Sequence, residues 1–154
     1  MYSKEQVTKM VYSFREDLLR RGIEIGTLEE VEFGKHSNTF GEGFQLSNGN
    51  YHIRINEVVF YGDVITTIVH ELIHTVKGCM NHGRKFQSIA KFCNNIYNLN
   101  IGSYVSVAEK ESAKEYRISH SKYIVGCKHC NTMIFRDRYS KLIKNYYNYS
   151  CSIC

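Results

Sequence analysis

The sequence contains no proline, no low-complexity tract and no internal repeat. These absences exclude a proline-rich linker and a repeat architecture. No stretch approaches the roughly 20 mostly apolar residues that a membrane-spanning helix needs, so we expect no membrane partner. Residues 1–14 contain charges throughout and no apolar core of the kind that a secretory leader has. We therefore expect a cytoplasmic protein.

Acidic residues are scarce in the last quarter of the chain. Residues 113–154 contain 8 lysines and arginines but only 2 acidic residues. Residues 1–112 contain 12 lysines and arginines and 13 acidic residues. The net charge of +5 therefore comes from the C-terminal segment. Such a segment is typical of an appendage that binds anions, nucleic acid being the usual partner. The alternative is a solvated basic face that aids solubility.

Six cysteines in a cytoplasmic chain indicate thiols or metal ligands more than disulfides. Four of them form two CxxC pairs: Cys127, Cys130, Cys151 and Cys154. Their spacing is close to that of zinc ribbons, and four thiolates leave no open position on the ion, which predicts a structural site. The alternative is two disulfides or redox-active pairs. Cys79 and Cys93 have no such partner, and we predict that they are buried free thiols.

Between the two CxxC pairs, residues 132–135 and 146–149 are predicted to form strands of a small β ribbon. The segment also contains four cations: Arg136, Arg138, Lys141 and Lys144. Tyr139 lies among these cations, and Tyr146 and Tyr147 follow them. Cations that hold phosphates and rings on which bases stack are what binding to single-stranded nucleic acid requires. The alternative is that some of the tyrosines form the small core of the ribbon.

The first 112 residues are predicted to fold as an α+β domain. Ser3 and Gln6 match a capping box at the start of a helix that Gly22 would end. Between 29 and 60, β-branched and aromatic residues indicate three short antiparallel strands, and Asn48-Gly49 predicts a hairpin between the last two.

A mostly buried helix is predicted next. Asp63 is the expected N-cap, apolar residues between 64 and 76 cover much of the helix surface, and Gly78 is the expected stop. A further helix is predicted from about 85 to 97, and the pattern around 108–116 is compatible with another.

The buried helix contains the sequence HELIH at 70–74. His70 and His74 are about one helical turn apart, so their imidazoles lie side by side and can share one metal ion. Glu71 is displaced around the helix from His70. It is poorly placed as a ligand but can reach a water molecule at the ion and act as the catalytic base.

A catalytic zinc site needs a third protein ligand. His82 is the nearest candidate, since Gly78 lets the chain turn back towards the helix. Three downstream glutamates are the alternative: Glu109, Glu111 and Glu115. Histidines in a buried helix can also be plain core residues, but a buried Glu-His pair without a metal would be costly.

The stretch HELIHTVKGCMNHGRKF resembles the SprT-like metalloprotease family. Its mark is HExxH, a short insertion, then His-Gly and an aromatic residue, which here are His82, Gly83 and Phe86. The resemblance implies a zincin-like domain, with Glu71 as the base and a catalytic zinc on three ligands: His70, His74 and His82. Such proteins often have a C-terminal zinc ribbon, and some act on proteins crosslinked to DNA. Asn131 departs from the pattern, because ribbons commonly have glycine after the first pair.

Together these features predict a zinc-dependent endopeptidase with one catalytic and one structural zinc. The catalytic domain would comprise residues 1–112, with an N-terminal helix, a short antiparallel sheet, the HExxH helix and a following helix. Residues 113–154 would form the connection and the ribbon. The expected substrate is a DNA-associated or DNA-crosslinked protein, and the ribbon would contact the nucleic acid. The alternative is a zinc-stabilised nucleic-acid-binding adaptor whose protease-like site is inactive or serves another purpose.

Overall fold

The computed structural model describes residues 2–34, 39–61, 64–102 and 107–154. The chain divides into two units, Met1–Ala113 and Lys114–Cys154. Within the described ranges there are five α-helices and two small sheets, which confirms the α+β class. No helix in these ranges has the length and apolar character needed to cross a membrane.

Helix α1, Lys4–Arg20, begins with the predicted capping box. The Ser3 hydroxyl accepts a hydrogen bond from the Gln6 backbone N–H at 3.2 Å, and the Gln6 side chain accepts one from the Ser3 N–H at 2.8 Å. Gly22 follows the helix at φ +83°, a left-handed conformation that favours glycine. The predicted start and stop are both confirmed.

The first unit contains a three-stranded sheet made of β1, Leu28–Gly34, β2, Gly41–Gln45, and β3, Tyr51–Asn56. Strands β2 and β3 form the hairpin predicted at Asn48-Gly49, where Gly49 has φ +88°. Strand β1, however, pairs with β3 in parallel, and the spatial order is β1-β3-β2. The prediction of a purely antiparallel sheet was therefore wrong.

Burial explains the strand order. Strand β3 is central because it buries Tyr51, Ile53 and Ile55, whereas none of the residues of β1, LEEVEFG, is fully buried. Alternation of apolar and polar residues indicates a strand but not its direction. Long-range packing decides the strand direction, and the alternation of apolar and polar residues carries no information about that packing.

Strand β3 ends at Asn56, and the following apolar residues form a 3₁₀ helix, Glu57–Tyr61, instead of extending the strand. The Asn56 side chain accepts a hydrogen bond from the Val58 N–H at 3.1 Å. Such a local bond to the backbone competes with strand pairing. It accounts for the early end of the strand.

Helix α2, Val64–His74, lies at the centre of the first unit and contacts α1, β2, β3 and α3. Nine of its eleven residues are buried, in agreement with its nearly continuous apolar pattern. The expected N-cap, Asp63, lies outside the described residues. The helix ends at His74, earlier than predicted, and Gly78 instead lies in the following turn at φ +84°.

Helix α3, Arg84–Tyr97, confirms the helix predicted from 85 to 97. Helix α4, Val107–His120, is longer than the pattern around 108–116 indicated. Cys79 and Cys93 are buried and free, as predicted.

The second unit contains an antiparallel pair of strands, β4, Tyr123–Gly126, and β5, Met133–Arg136. The strand predicted at 132–135 therefore exists, but its partner precedes the first CxxC pair. The strand predicted at 146–149 was wrong, because Tyr146–Asn148 is a 3₁₀ helix that follows the short helix α5, Lys141–Lys144. The apolar pattern of that segment is too short to distinguish the two conformations.

Candidate metal centres

Three imidazole rings converge at the C-terminal end of α2. The Nε2 atom of His70 lies 3.1 Å from that of His74 and 3.0 Å from that of His82. A tetrahedral zinc ion about 2.0–2.1 Å from each nitrogen would hold pairs of nitrogens roughly 3.3–3.4 Å apart. The structure thus brings the three predicted ligands into a group that could hold one metal ion.

The turn between α2 and α3 orients two of these rings. The Nδ1–H of His74 donates to the Cys79 carbonyl at 2.7 Å, which leaves Nε2 free to bind a metal. The Gln87 side chain donates to the His82 carbonyl at 3.0 Å, and Lys85 donates to the Lys77 carbonyl at 2.7 Å. Side chains of α3 therefore hold the turn that returns His82 to the helix.

The Phe86 ring packs against all three histidine rings. Its ring is 1% exposed, and its centroid lies 5.0 Å from that of His70 and 4.7 Å from those of His74 and His82. In the sequence, Phe86 was identifiable only as the aromatic residue of the SprT-like pattern. Its packing against all three rings restricts their orientation.

Burial determines the protonation of two of the imidazoles. Burial, together with the neighbouring His74 and His82, lowers the pKa of His70 to about 3. Burial also lowers the pKa of His74, although the bond to the Cys79 carbonyl opposes this effect. Both rings are therefore neutral near pH 7, as metal ligands must be.

Glu71 is 4% exposed and follows His70 on the helix. Burial and the Glu42 charge raise the pKa of its carboxyl to about 8, and the Gly43 N–H opposes both effects. A divalent cation at the histidines would favour the carboxylate by its opposite charge. The position is thus suited to a group that accepts and returns a proton.

Strand β2 lies directly on α2 at Gly41 and Gly43, whose positions face Glu71 and His74. Sequence reasoning missed these two residues. The sequence signal that could have identified them is the pattern Gly-x-Gly inside a strand, which indicates close approach of another segment.

None of the alternative glutamates belongs to the histidine group among the side chains that the structure describes. Glu111 and Glu115 are described and lie outside it, whereas the side chain of Glu109 is not described. His82 is the third member of the group instead.

The four predicted cysteine ligands form a second group. The Sγ atoms of Cys127 and Cys154 are 3.5 Å apart, and those of Cys130 and Cys151 are 3.6 Å apart. Zinc–sulfur bonds of about 2.3 Å imply tetrahedral sulfur separations of roughly 3.8 Å, whereas a disulfide measures about 2.05 Å. All six cysteines are free, so the group could hold a metal ion and the disulfide alternative is not what the structure contains.

Asn131 completes the first cysteine turn. It adopts φ +55° and donates its N–H to the Cys127 carbonyl at 3.0 Å, while the Cys127 N–H donates to the Thr132 carbonyl at 2.9 Å. Asparagine tolerates the left-handed region better than most residues. This explains how the turn forms without the glycine that is common there.

Hydrogen bonds shift the pKa values of three thiols in the cysteine group. Hydrogen bonds from Thr132 lower the pKa of Cys130 to about 6, and backbone N–H groups of Cys130 and His129 lower that of Cys127. Interactions with Cys127, Cys130 and Cys151 raise the pKa of Cys154 to about 12. Four thiolates this close would repel one another, and a bound cation would relieve that repulsion.

All four predicted nucleic-acid-binding cations are exposed: Arg136, Arg138, Lys141 and Lys144. Tyrosines on the same unit are also exposed: Tyr139, Tyr146, Tyr147 and Tyr149. These tyrosines therefore do not form a buried core, although Tyr139 packs against Tyr123 and Tyr146 packs against Tyr147.

Comparison with protein-family models and with curated proteins found no match for this chain. Neither comparison therefore identifies a SprT-like family, and that resemblance stays a prediction from the sequence. The two metal-ligand groups are the evidence from which a function can be argued.

Proposed function

We propose that this chain is a zinc-dependent endopeptidase of the SprT-like type, with a zincin-like catalytic domain followed by a zinc ribbon. One observation above all supports the proposal: three imidazole ligands converge beside a buried glutamate that follows the first of them. Three protein ligands leave a position for water on a tetrahedral ion, which is typical of catalytic zinc. The four-cysteine group is of the closed, structural type.

The proposed roles follow from the positions of the side chains. His70, His74 and His82 would hold the zinc ion, which when bound supplies the Lewis acidity that makes water nucleophilic and polarises a peptide carbonyl. Glu71 accepts the water proton on its carboxylate and passes it to the leaving amine. Strand β2 packs directly against the Glu71 side chain at Gly41 and Gly43.

The position of strand β2 favours a peptide as the substrate. Strand β2 is at the edge of the sheet, beside Glu71 and His74. An extended peptide can add to such an edge through backbone hydrogen bonds. A peptide bound in this way would run past the histidine group without needing a deep, sequence-specific pocket.

The exposed cations and tyrosines of the second unit favour a nucleic acid as the partner. Exposed cations contact phosphates and exposed tyrosines stack on unpaired bases. We therefore propose that the enzyme acts on proteins bound or crosslinked to DNA, with the ribbon as the tether that raises the local concentration of substrate.

The direct test is cleavage of one protein presented in two forms, crosslinked to a single-stranded oligonucleotide and free. We expect the zinc-loaded enzyme to cleave the crosslinked form at least about tenfold faster at low concentration, because tethering raises the effective concentration. Chelator-treated enzyme is the control and should cleave neither. Equal rates would exclude the tether. Absence of any cleavage by enzyme with both sites loaded would favour the adaptor.

The tether itself is tested by salt dependence. Arg136→Gln with Arg138→Gln should flatten the plot of log affinity against log salt, by about 0.7 for each phosphate of a single strand that the protein no longer neutralises. Fluorescence anisotropy with a labelled oligonucleotide measures this slope. The matched control is Lys9→Gln with Lys91→Gln, which removes the same charge from exposed sites of the first unit. An equal change in both double variants would show that only net charge matters.

A further inference from the structure

The Glu71 side chain occupies the space that a side chain at position 41 would need. A Cβ atom on Gly41 would lie 2.6 Å from Glu71 Cγ, 2.7 Å from Oε1 and 2.8 Å from Cδ. These separations are far inside van der Waals contact. Glu71 is 4% exposed, so its side chain is surrounded by other protein atoms. Any residue larger than glycine at 41 must therefore displace Glu71.

Gly43, two residues along the same strand, faces the same helix. A Cβ there would lie 3.3 Å from His74 Cβ and 3.7 Å from Glu71 Oε2, a tight but tolerable contact. Its N–H lowers the pKa of the Glu71 carboxyl. Glu42, between the two glycines, pairs with Arg54 at 3.7 Å. The face of β2 towards α2 thus carries no side chains where it crosses Glu71.

Backbone conformation does not explain these glycines. The glycines with positive φ are Gly22, Gly49 and Gly78 within the described residues, and neither Gly41 nor Gly43 is among them. Glycine inside a strand weakens it through conformational entropy and the absence of a side chain to pack. The close approach to Glu71 is the physical reason that remains for Gly41.

We propose that Gly41 is a positioning residue for Glu71. The missing side chain at 41 leaves the space that the Glu71 side chain occupies, and it thereby sets the path of that side chain. The catalytic consequence rests on the proposed function, because it requires Glu71 to be the base. The steric coupling between the two residues does not.

The coupling is measured by a double-mutant cycle on the full, zinc-loaded chain. Gly41→Ala should lower the unfolding midpoint by roughly 4–10 °C, as expected for overpacking in a unit of this size. In the Glu71→Ala background the same change should lower it by less than about 2 °C, because the clashing atoms are gone. Equal losses in both backgrounds, or no loss in the wild-type background, would overturn the proposal.

Two further variants calibrate the cycle. Gly126→Ala is the matched control, since a Cβ at this strand glycine meets nothing within 4 Å, and it should leave the midpoint unchanged. Gly43→Ala should cause a smaller loss than Gly41→Ala. A loss with Gly126→Ala as large as that with Gly41→Ala would show that strand glycines in general, and not contact with Glu71, cause the effect.

The positioning role is tested by kinetics. Gly41→Ala should keep two zinc ions per chain and lower kcat by about 100-fold with little change in KM, the usual cost of moving a catalytic group by about 1 Å. An unchanged kcat in a variant whose midpoint shows the coupling would exclude positioning. If wild-type enzyme cleaves nothing, the proposed function fails, while the cycle still decides whether Gly41 holds Glu71 in place.

Discussion

Replacing Glu71 by glutamine is expected to lower the rate of peptide hydrolysis by about 10²–10⁴-fold, with zinc still bound. Glutamine has the shape of protonated glutamate, the form that burial favours by raising the pKa to about 8. Its amide oxygen can still accept the Gly43 N–H, so the packing is kept. It cannot take a proton from water. Cleavage rates and zinc per chain, measured on the same sample, check both parts.

His74→Ala is the matched comparison. It removes a ligand, so we expect zinc at the histidine site and cleavage to be lost together. Wild-type activity in Glu71→Gln would exclude Glu71 as the base. Loss of zinc from Glu71→Gln would instead mean that the carboxylate contributes to metal binding.

Replacing Cys151 by serine is expected to lower the zinc content from two ions to one and to unfold the unit Lys114–Cys154. Among its described residues, Tyr116 is the only buried hydrophobic residue, so the apolar core contributes little. In units of this size, metal binding supplies much of the folding free energy. Metal analysis and backbone NMR spectra of the variant measure the two effects.

The matched control for this change is Cys93→Ser, which alters a buried thiol outside the cysteine group. It should keep both zinc ions. A wild-type protein with one zinc, or a Cys151→Ser protein with two, would contradict the assignment of two sites. Loss of zinc from the histidine site in Cys151→Ser would show that the two units do not fold independently.

Local patterns predicted much of the candidate site. Once residues 64–74 form a helix, the spacing of His70 and His74 places both rings on one side of it, because helical geometry allows nothing else. The capping box at Ser3 and the hairpin at Asn48-Gly49 were predictable for the same reason. Each depends on residues within a few positions of one another.

The approach of His82 was harder to predict. The sequence made it one candidate beside downstream glutamates. Its Nε2 lies near that of His70 because Lys85 and Gln87 of α3 hold the turn. Those hydrogen bonds depend on how two helices pack, and the spacing between histidines does not contain that information.

By itself, the sequence determined the local elements, the ligand types and the separate basic segment, since these follow from neighbouring residues. Only the tertiary structure decided that β1 runs parallel to β3, that Gly41 makes room for Glu71, and that the ribbon tyrosines are exposed. These features depend on packing and desolvation between residues far apart in the chain. Their free energies belong to the assembled fold, which is why the position of Glu71 is a property of strand β2 as much as of the helix that contains it.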